Sequence, residues 1–184
     1  MKINALTFDN SRALFNEFMV CIAASLLLAL SAQVFVTLPF SPVPFTFQTM
    51  VLGFIACLLG PQRALMAVTA YFLEGLSGLP VFAQGCAGFV QFLGPDGGYL
   101  VGFLIMSYVV GRLFAAKPEC GPLLAFVYLC AGYAIILACG WAWLSVLVGP
   151  VHAMVMGVLP FIINEMLKAV MIVATLPAIR RYLA

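Results

Sequence analysis

Hydrophobic positions run along this chain in long uninterrupted blocks, without the alternation or narrow stripes of a water-soluble fold. The 45 residues between Glu17 and Arg63 carry no charge, and neither do the 45 between Glu119 and Glu165. A membrane-crossing helix needs about 20 apolar residues, because the hydrocarbon core is about 30 Å thick and each residue rises about 1.5 Å. Each block therefore holds two crossings and a turn. Proline and glycine mark the turns at Pro39-Phe40-Ser41-Pro42-Val43-Pro44, Gly60-Pro61 and Gly149-Pro150. Proline ends helices there, since it lacks the N–H donor and restricts the residue before it.

Six helices are expected, over residues 18–38, 46–59, 64–76, 99–115, 122–148 and 160–179. Val151–Leu159 is too short to cross and should make a brief helix at the outer face. Pro160 suits the first turn of the last crossing. Before the first crossing, Phe8, Leu14, Phe15 and Phe18 belong either to a frayed tail or to a short interfacial helix. The expected architecture is an all-α integral membrane protein, one membrane domain over residues 1–184.

Composition agrees. Of 184 residues, 65% are hydrophobic and only 8% are charged, against about 25% charged in a soluble domain. Mean hydropathy is +1.18. A net charge of +2 without a basic patch argues against nucleic acid. Six cysteines are present, but none has metal-ligand spacing, and Cys21, Cys57, Cys130 and Cys139 lie inside apolar runs as small packing residues. No cleavable signal peptide is evident, since the start is polar and the first apolar run is too long.

Charge position gives the orientation. Alternating the loops puts Lys2, Arg12, Arg63, Arg112, Lys117, Arg180 and Arg181 on one side and no Lys or Arg on the other. The positive side is cytoplasmic. Both termini are therefore expected inside, with loops 39–45, 77–98 and 149–159 facing outward. Trp141 and Trp143 suit the headgroup level, and the lone His152 is expected to be inert.

The outward loop before the fourth helix combines glycine with apolar side chains. Residues 75–102 hold glycines 75, 78, 85, 88, 94, 97, 98 and 102, together with Leu79, Val81, Phe82, Phe89, Val90, Phe92 and Leu93. Such side chains must bury against something, either as a cap over a pocket or as a seal on the bundle. Asp96, in Gly-Pro-Asp-Gly-Gly, is expected to stabilise a turn through its own backbone.

The last crossing carries the strongest signal. Asn164, Glu165 and Lys168 share one polar face within a turn. Charges inside a membrane span are costly, face the interior and pair. They mark a ligand site reached from outside, with a structural ion pair as the alternative. Glu74 either caps the loop backbone or lines the same pocket, and Gln48 starts its helix near the outer face, where it could point inward. On the first helix Cys21, Ser25 and Ala29 form a strip of small residues. Such strips let helices approach closely, either within the bundle or against a partner membrane protein.

Phosphate-binding loops of the G-x-x-x-x-G-K-[ST] type, nucleophile elbows and metal-binding clusters are absent from the sequence. The chain is therefore expected to hold a small ligand without being an enzyme, to use no cofactor or metal, and to depend on another protein for energy.

Three segments together carry a family resemblance. Ser41-Pro-Val-Pro-Phe-Thr-Phe-Gln48, Gly78-Leu-Pro-Val-Phe-Ala83 with Gly94-Pro-Asp-Gly-Gly-Tyr-Leu100, and Pro160-Phe followed by Glu165 and Lys168 resemble, in order and spacing, the BioY proteins. These are the biotin-binding S components of energy-coupling factor transporters. The resemblance implies a six-helix S-component-like bundle in a bacterial plasma membrane, with a glycine-rich outer loop capping a biotin pocket. It also implies a partner module of one coupling transmembrane protein and two ATPase subunits, docked on the Cys21, Ser25 and Ala29 strip. An S component for another small vitamin is one alternative, and, without that module, a solitary biotin facilitator, as an oligomer, is another. Glu165 stands where the family commonly has Asp, Asn164 replaces a Gly, and Lys168 matches. Cys86 and Leu100 stand where some members have Asn and Arg. The ring and stem of biotin suit Phe82, Phe89 and Tyr99. Glu165 would accept from a ureido N–H, and Lys168 would donate to the carbonyl or the valerate carboxylate, or the reverse.

Overall fold

The structure, a computed structural model, describes the backbone of residues 3–183 and the side chains of residues 14–182. The side chains of Lys2, Phe8 and Arg12 lie outside the described residues. In order, the elements are α1 (Ile3–Ala32), β1 (Phe35–Val36), β2 (Phe45–Thr46), α2 (Gln48–Leu76), a 3-10 turn (Ala83–Gly85), α3 (Val90–Leu93), α4 (Gly97–Ala116), α5 (Pro122–Val148), α6 (Pro150–Gly157) and α7 (Leu159–Leu183). The described residues contain five helical stretches long and apolar enough to cross a membrane: Leu14–Ala32, Gln48–Leu76, Gly97–Ala116, Pro122–Val148 and Pro150–Tyr182.

α1 ends at Ala32, short of the expected Leu38. Phe35 and Val36 instead pair antiparallel with Thr46 and Phe45. The run Val34-Phe35-Val36-Thr37 is β-branched and aromatic, which favours a pleated ribbon over a last helical turn. The Gln33 amide fixes this end by donating to the carbonyl of Phe82 at 3.1 Å.

α2 is interrupted at one residue. Gly60 has φ 77° and ψ 178°, a region essentially restricted to glycine. Pro61 then opens the next arm, where its missing N–H costs nothing. The chain folds back here. The Gln48 amide donates to the Tyr71 hydroxyl at 2.7 Å, whereas 23 residues of straight helix would hold them about 35 Å apart. The expected loop at 60–63 is thus reduced to a single glycine. α4 lies against this reversal through Gly111, where a Cβ would sit 2.7 Å from Pro61 Cα.

The core is a contiguous cluster in which α4 packs against α2 on one side and α5 on the other. At the opposite end of the bundle from Gln33, Arg63 pairs with Glu17. Nearby at the turn ends, Arg180 reaches the carbonyl of Cys57 at 3.3 Å and covers the Phe114 ring.

The small-residue strip on α1 faces inward. Cys21, Ser25 and Ala29 are 3%, 0% and 8% exposed. Ser25 donates to the Glu74 carboxylate at 2.6 Å, and Cys21 lies against the backbone of Arg63. Side chains covered in this way leave little of their own surface for a partner. The exposed face of α1 carries Leu14, Phe15, Phe18, Leu26, Leu27 and Leu30 instead.

Candidate ligand-binding site

A cavity of about 620 Å³, mouth included, lies among β2, both arms of α2, α4, α5, α7 and the 77–96 loop. Its apolar wall includes Val43, Phe82, Leu100, Phe103, Ile136 and Phe161. Its polar groups are Thr46, Gln48, Thr49, Tyr71, Gln91, Asp96, Tyr99, Tyr133 and Glu165.

The α7 end is built around Glu165 and Lys168, each 4% exposed. Lys168 Nζ donates to Glu165 Oε1 at 2.8 Å, to Thr49 Oγ1 at 2.7 Å and to the Thr46 carbonyl at 2.8 Å. An ammonium has three N–H donors, and all three are occupied. Glu165 lines the cavity while Lys168 does not. A role for Lys168 in touching a ligand directly is therefore not what this geometry offers. It holds Glu165 and ties α7 to the start of α2. Glu165 Oε2 is buried without a partner, and an unpaired buried acceptor is costly. Glu165 also borders an apolar recess between α5 and the α6–α7 segment, lined by Cys130, Trp141, Met154 and Ile162.

Three phenols frame the walls. Tyr71 donates to the carbonyl of Val81 at 3.2 Å, and Tyr133 to that of Thr49 at 3.2 Å. Tyr99 donates to the carbonyl of Gly157 at 2.7 Å. Its ring packs so closely on Gly140 that a Cβ there would collide with it, so glycine on α5 is what lets Tyr99 lie flat.

The 77–96 loop folds onto the end of α2 through an aromatic cluster. Phe82 meets Tyr71 edge-on at 5.4 Å and Phe92 at 5.7 Å, and Phe92 meets Phe72 at 5.1 Å. Trp143 of α5 donates to the Gly94 carbonyl at 2.9 Å. Trp141 likewise donates to the carbonyl of Pro150 at 3.1 Å, so both indoles clasp a turn of this chain. Asp96 does not serve its own turn as expected. It makes no side-chain cap to α4; its Oδ2 accepts from Gln91 at 2.7 Å, and its Oδ1 is buried without a partner. Burial pushes its carboxyl up to about 6.

Among the residues singled out from sequence, Glu165, Gln48, Phe82 and Tyr99 meet at the cavity. Asn164 is half-buried outside it. Glu74 faces Ser25 between α1 and α2, with Oε2 buried and unpaired. Cys86 closes the turn that accepts the Phe82 N–H through its backbone carbonyl and packs on the core without lining the cavity. Phe89 is 63% exposed and stacks on Phe92 from outside. Tyr71, Gln91 and Tyr133 were not anticipated, Asp96 was expected only as a turn residue, and Phe161 entered only within the Pro160-Phe motif. An aromatic residue in an apolar helix looks like core, and the spacing of Tyr71 from Gln48 becomes informative only once the reversal at Gly60 is known.

A sequence profile of the BioY family matches residues 4–184. The "Probable biotin transporter BioY" of Pyrococcus horikoshii is 34% identical over 143 residues, covering 78% of this chain and 83% of that protein. The "Biotin transporter BioY" of Thermotoga maritima is 37% identical over 146 residues, covering 79% and 84% respectively. A crystal structure of "the S-component for biotin from an ECF-type ABC transporter" superposes with a TM-score of 0.82, covering 92% of this chain and 93% of that one. At 23% identity this last likeness speaks for the fold. Profile and relatives together place the chain: it belongs to the BioY family.

Proposed function

We propose that this protein captures biotin at the outer face of a bacterial plasma membrane as the S component of an energy-coupling factor transporter. The observation that carries the reading is Glu165, which lines the cavity and whose Oε2 is buried and unpaired. A ureido ring offers two N–H donors to such an acceptor, and a buried acceptor rejects analogues that leave it unpaired. The ureido carbonyl can take the second N–H of Gln48, whose first is held by Tyr71. Phe82, Tyr99, Phe103 and Phe161 enclose the thioether ring and the apolar stem. Lys168 acts through Glu165 as a positioning residue.

The fold-back at Gly60 turns the five apolar stretches into six crossings, with residues 48–59 and 61–76 as separate membrane helices. Arg63, Arg112, Lys117, Arg180 and Arg181 then share the cytoplasmic side with both termini. The 77–96 loop covers the outer mouth as the cap. Binding requires no cofactor or metal and involves no catalysis. Energy comes from a coupling transmembrane protein and two ATPase subunits, since the chain has no nucleotide-binding loop of its own. The exposed apolar face of α1 is available to the coupling protein, in place of the buried strip.

Competition tests the reading. Labelled biotin bound to the purified protein should be displaced by unlabelled biotin and not by thiamine, pantothenate or other vitamins lacking a ureido ring. Equal displacement by these vitamins would contradict it.

A further inference from the structure

The cavity wall is unbalanced in charge. Glu165 stands on it from α7 and Asp96 from the loop before α4, while no Lys, Arg or His is among the lining residues. Lys168 has its three N–H groups engaged behind the wall. The other ionisable groups on the wall are phenols: Tyr71 from α2, Tyr99 from α4 and Tyr133 from α5. Glu74, further along α2, adds a negative charge and no positive one.

Asp96 is placed unusually for an acid preceding a helix. Such a residue commonly accepts from the first free N–H groups, but this one makes no cap. Gln91 holds one carboxyl oxygen at 2.7 Å, and both side chains line the cavity. The other oxygen is buried and unpaired. A bound carboxylate here would find a second acid and no cation. A bound donor would find a free acceptor.

Resting on the biotin reading above, we propose that Asp96, oriented by Gln91, is a specificity-determining residue that receives the ligand's tail as a hydrogen-bond donor. The favoured tail is a neutral carboxamide, or a carboxylic acid that shares one proton with Asp96, and not a free carboxylate. Two carboxyl groups in contact do not both ionise. Burial already raises Asp96 to about 6, so the shared proton is available near neutral pH. Capture of free biotin therefore takes up one proton, and its affinity falls by up to tenfold for each pH unit above that range. Capture of an uncharged amide does not depend on pH in this way.

The test is calorimetric titration of the purified protein with biotin and with biotinamide between pH 5.5 and 8. The wild type should bind biotinamide at least tenfold more tightly than biotin at pH 8, with the gap closing toward pH 5.5. In Asp96→Asn the side chain itself supplies an N–H, so biotin should tighten about tenfold at pH 8 and lose its pH dependence. Equal, pH-independent affinity of the wild type for both ligands would overturn the inference while leaving biotin capture intact. This comparison needs no variant to fold. Failure of both ligands to bind the folded wild type would overturn the biotin reading and this inference with it.

Discussion

Lys168 lies 2.8 Å from Glu165, one turn further along α7, yet only Glu165 reaches the cavity wall. On the proposed function, the pair is an acceptor and its support. Removing the support leaves a buried carboxylate with no counter-charge. Lys168→Ala is expected to weaken biotin binding by about 1–3 kcal/mol, read by calorimetry on protein shown to be folded. Unchanged affinity would mean that Glu165 is not held by Lys168 for binding.

The two charges should also depend on each other. Truncating one partner of a buried pair costs more than replacing both by neutral groups. Glu165→Gln and Lys168→Met should each lower the melting temperature in detergent, and the double variant should recover part of the loss. Strict additivity of the two losses would contradict the coupling.

Gly60 sets the reversal that brings Gln48 to Tyr71. A Cβ at this position meets open space, so Gly60→Ala should cost only backbone strain, about 1–3 kcal/mol. Gly111→Ala instead drives a methyl group into the backbone of Pro61 and should lower thermal stability more. A thermal-unfolding series in detergent distinguishes them, and equal losses would argue against the close approach of α4.

Ser25 is buried against Glu74. Ser25→Ala should destabilise by about 1–2 kcal/mol, because Glu74 then has no hydrogen-bond partner for either oxygen. Ser25→Leu should cost at least as much through overpacking. A full-strength fold for Ser25→Leu with loss of transport alone would restore a docking role to the strip.

Asp96 gives a pH signature in the unliganded protein. Its carboxyl is raised from 3.8 to about 6 by burial, so the folded state holds the proton more tightly than the unfolded chain. The stabilisation is full below about pH 3.8 and is lost as the pH rises through about 6. Melting temperature should fall across that window in the wild type and less steeply in Asp96→Asn. Identical slopes would contradict the burial of this carboxyl.

Several of these features were legible before the structure. Long uncharged blocks announce membrane helices, and Glu165 stands out because a charge inside such a block is expensive. Other features were hidden for definite reasons. Val34–Thr37 continues an apolar run, and hydropathy alone does not separate a last helical turn from a β ribbon. Glu165 and Lys168 share a helical face by spacing, but a lysine side chain is long enough to turn away, and Thr46 and Thr49 on β2 and α2 decide where it ends. The spacing of Cys21, Ser25 and Ala29 indicates close approach without naming the neighbour. Asp96 reads as an ordinary turn residue until Gln91 is seen beside it.

The most direct test of the account is calorimetric titration of biotin into the purified protein alone, beside Glu165→Gln. The account predicts saturable one-to-one binding by the wild type with no ATPase partner present, and a loss of about tenfold or more in the variant, as expected for one hydrogen bond to a charged group. No saturable heat from the folded wild type, or equal affinity in Glu165→Gln, would contradict it.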